Sequence, residues 1–253
     1  MNLSGRTILI TGGSSGIGLE LAKQLVAKGN TVVITGRDER RLAETKSKLP
    51  VHTFVSDAGN PADVEQLQKA VAANFPNLDM LINNAGIMRN LDLTQSRELA
   101  DVTKEIEVNL EGPIQMVQAF LPQLKAKPNA LIVNVSSGLA FVPFALSPIY
   151  SAAKAGLHAY TRSLRAQLMR SKIRVVELAP PGTETPLFRG EFEKEMKGQK
   201  AMDVQALVKQ ALAGIESGKT EIRPGLSNIL YLLSRIAPQT PFRQMAKLLP
   251  TVA

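Results

Sequence analysis

The 253-residue chain contains no cysteine and only two histidines, His52 and His158. The missing cysteines exclude disulfides, thiolate catalysis and cysteine-based metal sites, and they suit a reducing compartment. The two histidines are far apart and form no metal-ligand pattern, so no metal is expected. Long low-complexity tracts and internal repeats are also missing. The few residues ahead of the apolar run at Thr7 are too short for the apolar core of a signal peptide, so a cytoplasmic location is expected.

What is present suits one large globular domain: 44% hydrophobic and 21% charged residues, with a length that allows a proper buried core. The balance is basic, at +8. The densest basic cluster, Arg162, Arg165, Arg170, Lys172 and Arg174, lacks interleaved aromatic residues that could stack on bases. It reads as a solvated helix face, and no nucleic-acid partner is expected.

Short apolar runs alternate with amphipathic stretches from residue 7 to 178. Strands are predicted at 7–11, 31–35, 51–55, 80–82, 131–135 and 174–178. Helices are predicted at 17–28, 40–49, 61–75, 97–124 and 148–171. Such alternation predicts strand-helix-strand units and a parallel sheet, wound with helices on both faces. Ligands of such sheets bind beyond the C-terminal strand ends. Gly12, Asp57, Asn83 and Ser137 all fall there.

Gly12, Gly16 and Gly18 lie between the first strand and the first helix. Glycine lets a backbone approach a pyrophosphate, and the helix start offers free N–H groups and a positive dipole end. On the other side of the chain, Tyr150 and Lys154 stand one helical turn apart, 13 residues after Ser137. A phenol near its ordinary pKa of about 10 exchanges protons poorly at neutral pH, and a neighbouring ammonium is expected to lower that value. Ser137 can donate to an oxygen on which charge develops.

Here the chain resembles the short-chain dehydrogenase/reductase family. Thr11 to Gly18 (TGGSSGIG) matches its T-G-x-x-x-G-I-G motif, Asn83-Asn84-Ala85-Gly86 its N-N-A-G segment, and Ser137, Tyr150 and Lys154 its Ser-Tyr-Lys triad. The resemblance covers residues 5 to about 190. It implies a single-domain α/β protein with a Rossmann-type doubly wound parallel sheet. It implies hydride transfer between a nicotinamide and a carbonyl or alcohol, with Ser137, Tyr150, Lys154 and Asn109 as the catalytic set. In the family the asparagine at the place of Asn109 distorts its helix and orders a water linked to the lysine. The implied cofactor surface comprises Gly12, Ser14, Ser15, Gly16, Ile17, Gly18, Arg37, Asp57, Ala58, Asn84, Ala85 and Gly86, then Tyr150, Lys154, Pro180, Thr183 and Thr185.

Cofactor choice rests on the end of the second strand, Thr35-Gly36-Arg37, where an acid would have bonded a ribose 2′-hydroxyl. Arg37 can pair with a 2′-phosphate, so NADP(H) is favoured and NAD(H) stays open. Asp38 follows at once and is a candidate to neutralise Arg37. After the sixth strand the chain departs from the family's N-P-G-x-[VI]-x-T. It reads Ala179-Pro180-Pro181-Gly182-Thr183-Glu184-Thr185. The double proline resembles a subgroup that includes oxidoreductases linked to lipoteichoic acid D-alanylation operons.

The apolar run 138–146 is expected either to line a pocket for an apolar substrate or to meet a neighbouring subunit. The segment from about 183 to 203 reads as a lid. The tail from about 226 to 253 reads as helical and apolar, with no stretch of the ~20 residues that span a bilayer. Core or oligomer packing is the favoured use of that tail, with membrane-surface contact the other. The family resemblance implies a homodimer or homotetramer. The competing reading is a cofactor-sensing or membrane-surface protein that keeps the fold without turnover.

Overall fold

A computed structural model describes residues 2–249. Seven parallel strands form one sheet in the order β3-β2-β1-β4-β5-β6-β7. They are β1 (Thr7–Thr11), β2 (Thr31–Gly36), β3 (His52–Val55), β4 (Leu78–Asn83), β5 (Ala130–Val135), β6 (Ile173–Leu178) and β7 (Glu221–Ile222). Helices α1 (Gly16–Ala27), α2 (Glu39–Lys48), α3 (Pro61–Asn74), α4 (Leu99–Ile106), α5 (Gly112–Lys125) and α6 (Pro148–Gln167) connect them. Beyond β6 come α7 (Pro186–Arg189), α8 (Val204–Glu216), α9 (Leu226–Ile236) and α10 (Gln239–Ala246).

Period-two alternation divides the core. Ile8 and Ile10 of β1, and Met80 and Ile82 of β4, point to one face, where they meet Leu21 and Leu25 of α1 and Val208 and Leu212 of α8. Leu9 and Leu81 point to the other, against Val71 of α3 and Phe120 of α5. The apolar strand runs are therefore buried on both sides, as a covered parallel sheet requires. The strand order reverses at β1, which pairs with both β2 and β4, and the crevice for a ligand opens there.

Three expectations are corrected. The helix predicted over 97–124 is two helices, α4 and α5, separated by a π-helical turn at Glu107–Glu111. The helix predicted to run to Ser171 ends at Gln167, so Arg170, Lys172 and Arg174 do not extend its face. Arg165 is no solvated charge either: it donates to the carbonyls of Val175 and Thr220 and pairs with Glu221. The tail carries α9 and α10, and its apolar residues divide between core and surface. Leu230 is buried, whereas Leu226, Ile229, Leu232, Leu233 and Ile236 are exposed. Residues 250–253 of that tail lie outside the described part. No helix among the described residues is long and apolar enough to cross a membrane.

Candidate active site

The turn after β1 is built for close approach. Gly12 has φ +66°, and a Cβ there would sit 2.9 Å from the Ala85 Cα. A Cβ on Gly18 would sit 2.2 Å from the Gly12 oxygen, so any larger residue would push the helix off the strand. Ser15 stands at the N-cap of α1, yet its side chain makes no cap hydrogen bond. The first-turn N–H groups of this 12-residue helix are thus left for an anion. A pyrophosphate fits this cradle by shape and by charge. Ile17 packs against the core from the same turn.

The end of β4 is stitched to that turn. Asn84 Nδ2 donates to the carbonyls of Thr11 and Gly12 at 3.0 and 3.1 Å. The Asn84 and Ala85 amides both donate to Thr11 Oγ1 at 3.0 Å. Deeper in the sheet, Asn83 Nδ2 donates to Asn134 Oδ1, and Asn134 Nδ2 to Thr161 Oγ1. This amide ladder links β4, β5 and α6 beneath the site.

Arg37 emerges at the end of β2, 57% exposed, with Nη1 3.9 Å from Asp57 Oδ2. Asp38 does not neutralise it. Its carboxylate caps α2 by accepting from the Arg41 amide at 3.1 Å and pairs with Arg41 Nε at 3.4 Å. Helix capping outcompetes the sequence neighbour because the orphan amide is fixed in place. Beside Arg37, a Cβ on Gly36 would lie 3.2 Å from Ser14 Oγ. Asp57 accepts from the Gly59 amide, and the next residue, Ala58, is buried.

Ser137 follows β5, and its Oγ accepts from the Leu139 amide at 3.1 Å. The Tyr150 hydroxyl is hydrogen-bonded to Ser137. Lys154 Nζ lies 5.6 Å from the Tyr150 ring centre and donates to the Val135 carbonyl at 2.9 Å. Asn109, fully buried within the π-helical turn, clamps Ile87 twice: Nδ2 donates to its carbonyl at 2.8 Å, and Oδ1 accepts from its amide at 3.2 Å. A Cβ on Gly86 would meet Asn109 Oδ1 at 2.7 Å and Lys154 Nζ at 3.7 Å, so the three converge on one spot.

Burial changes the electrostatics expected from the sequence. It pushes the Tyr150 phenol up to about 12, with the Glu105 carboxylate adding to the rise and the Ser137 hydrogen bond opposing it. Burial also brings the Lys154 ammonium down to about 8. The lysine therefore does not make the phenol acidic here. Removing both groups from water favours their neutral forms.

Past β6, the Pro180 carbonyl accepts from the Gly138 amide at 2.8 Å. Thr183 forms a parallel bridge to Met202, using the Gly182 carbonyl and the Glu184 amide. That pairing turns the Thr183 N–H away from Met202. Thr185 comes within 3.3 Å of where a Gly16 Cβ would stand, so this segment reaches the glycine turn despite Pro181. Phe144, Leu146 and Phe192 form a separate apolar cluster, with Met88, Leu139, Met196, Met245 and Leu248 packed on it. The run 138–146 thus folds against the 187–199 segment and α10.

Two groups escaped the sequence reading. Glu105 is fully buried one turn before Asn109, and its Oε1 accepts from the Arg89 amide at 2.9 Å. Its spacing of four from Asn109 was the available signal. The second is Glu177, whose carboxylate binds both Ser136 and His158.

A glycine cradle at the strand-order reversal, together with a buried Ser-Tyr-Lys cluster at the same sheet end, defines a class of nicotinamide-dependent oxidoreductases. The family described as short chain dehydrogenase matches residues 6–196, and the chain belongs to it. A Bacillus subtilis (strain 168) protein named Uncharacterized oxidoreductase DltE is 42% identical over 224 residues, covering 88% of this chain and 89% of that one. The Arabidopsis thaliana 3-dehydrosphinganine reductase TSC10A is 32% identical over 259 residues, covering 95% and 78%. A Burkholderia cenocepacia J2315 short chain dehydrogenase solved in complex with NADP superposes with TM-score 0.82 at 25% identity, covering 99% and 100%.

Proposed function

We propose that the chain reduces the carbonyl of a partly apolar substrate, or oxidises the matching alcohol, with NADP(H) favoured over NAD(H). One observation carries the reading: a Tyr150 hydroxyl hydrogen-bonded to Ser137, beside a buried Lys154 and facing the glycine cradle's end of the sheet. The nicotinamide, when bound, supplies or accepts the hydride. Gly12, Ser14, Ser15, Gly16, Ile17 and Gly18 would hold its pyrophosphate side. Arg37, Asp57, Ala58, Asn84, Ala85 and Gly86 would hold the adenosine side, and Pro180, Thr183 and Thr185 the carboxamide side.

Tyr150, kept protonated by burial, gives its proton to the substrate oxygen as charge develops there. Ser137 Oγ accepts from the Leu139 amide, and its hydroxyl turns from Tyr150 to donate to that oxygen. Lys154, brought to about 8, can give and take a proton near neutral pH and restores the Tyr150 hydroxyl. Asn109 keeps the 86–87 segment and the π-helical turn registered against Lys154.

The apolar cluster around Phe144 and Phe192 supports a partly apolar substrate, and the relative TSC10A is named a 3-dehydrosphinganine reductase. Its three methionines can repack around different chains. Residues 183–203 act as the lid over it, and exposed faces of α4, α5 and α6 serve homodimer or homotetramer contacts. The protein works in the cytoplasm.

A panel of ketones and alcohols, read by cofactor absorbance with NADPH and NADH in parallel, tests the assignment. Turnover is expected with NADPH, and Tyr150→Phe should abolish it while cofactor affinity holds. Undiminished turnover in that variant rejects the assigned acid. Cofactor binding without turnover across the panel would favour the cofactor-sensing alternative.

A further inference from the structure

We propose that α9 and α10 form a docking surface for an anionic lipid bilayer, independently of the reaction assigned above. On α9 the side chains of Leu226, Ile229, Leu232, Leu233 and Ile236 are 38–81% exposed. At 100° per residue they fall within about 120° of the helix circumference, a single apolar stripe. The opposite side, Ser227 and Leu230, is the buried one. Phe242 on α10 and Leu249 just beyond it are exposed apolar side chains as well. A contiguous apolar patch of this kind on a water-exposed helix marks an interaction site.

Charge decides what covers it. No Asp or Glu follows Glu221 in the chain, whereas Arg223, Arg235, Arg243 and Lys247 do. Glu221 itself is held by Arg223 and Arg165. Arg235, Arg243 and Lys247 are exposed and make no ion pair among the described residues. An apolar stripe on a segment whose charged side chains from Arg223 onward are all cations matches the interface of a bilayer with negative headgroups, where each Lys or Arg near the surface adds attraction. A second copy of the chain fits worse. A two-fold contact would bring the same cations together, and this segment has no carboxylate to answer them.

The docking face adjoins the apolar cluster around Phe144 and Phe192. Phe242 also lines an apolar groove of about 440 Å³, together with Leu139, Pro143, Phe144 and Pro148. On its inner side α10 packs Met245 against the Phe144–Phe192 cluster. A bilayer seated on α9 and α10 therefore lies beside this apolar groove.

The test is co-sedimentation of the full chain with vesicles of phosphatidylglycerol and phosphatidylcholine, compared with phosphatidylcholine alone. The expected result is at least about tenfold stronger partition onto the anionic vesicles, weakened by salt. Two variants at exposed positions, Ile229→Glu with Ile236→Glu, and Arg235→Gln with Arg243→Gln and Lys247→Gln, should each reduce it at least about tenfold while NADPH binding is kept. Equal partition onto both vesicle types overturns the proposal, as does unchanged binding in both variants. So does self-association, seen in sedimentation velocity, that Ile229→Glu with Ile236→Glu abolishes in a protein that ignores vesicles.

Discussion

His158 Nδ1 lies 2.8 Å from Glu177 Oε2, and the Ser136 hydroxyl donates to Oε1 of the same carboxylate at 2.5 Å. Ser136 directly precedes Ser137, and His158 follows Lys154 by one helical turn. One buried carboxylate on β6 therefore ties the strand end that presents Ser137 to the helix that presents Tyr150 and Lys154. Glu177→Ala should cost about 1–3 kcal/mol in urea unfolding, because a buried hydroxyl and imidazole lose their acceptor. In the same variant kcat should fall more than the KM for cofactor rises, with Glu177→Gln recovering part of the loss. A fall confined to cofactor KM would show that the carboxylate does not position the triad.

Glu105 raises the Tyr150 pKa through its negative charge. Glu105→Gln removes that charge and should bring the phenol down. Alcohol oxidation needs the deprotonated tyrosine, so its rate climbs as pH rises through that pKa. The climb should move to lower pH in Glu105→Gln, as a pH–rate profile would show. A profile unmoved, or moved to higher pH, contradicts the assignment.

The Lys154 ammonium is carried from its ordinary 10.5 down to about 8 by burial. The folded protein then binds fewer protons than the unfolded chain between about 8 and 10.5. Stability rises across that window, and the penalty is complete below it. The gap corresponds to on the order of 3 kcal/mol, offset in part by the hydrogen bond to the Val135 carbonyl. Lys154→Met should therefore be inactive yet more stable than the parent at pH 7, with the advantage shrinking by pH 10. Urea unfolding at the two pH values measures it.

Arg37 is more than half exposed, and its Asp57 partner is 3.9 Å away, so its guanidinium is available to a phosphate. Arg37→Ser should raise the KM for NADPH at least about tenfold and leave that for NADH within about twofold, a loss on the scale of one charge-assisted pair. Equal effects on both cofactors would remove Arg37 from the selectivity assignment.

Much of the fold could be read locally. The strand ending in glycines and the helix after it were legible from their pattern in sequence, although the contact that excludes a side chain at Gly12 comes from distant Ala85. Tyr150 and Lys154 were legible as a pair because helical spacing alone puts them on one face. Asn109 was legible through the family resemblance, and it lies inside the π-helical turn. The final strand was not legible. β7 is two residues long, too short to show a period, and it exists because the Glu177 amide and Ala179 amide find the Thr220 and Ile222 carbonyls. Asp38 misled for a related reason: adjacency to Arg37 was visible, but the competing amide of Arg41 was not.

The order of apolar runs, the glycine turn and the four-residue spacing of phenol and ammonium were enough to read a parallel sheet and the family resemblance, since each is a pattern visible along the chain. Tertiary structure decided the rest. Which way Tyr150 and Lys154 titrate, what Glu105 and Glu177 hold, and which side of α9 meets solvent all follow from packing between distant segments. Burial and charge are properties of a place in space, and the chain acquires that place only when it is folded.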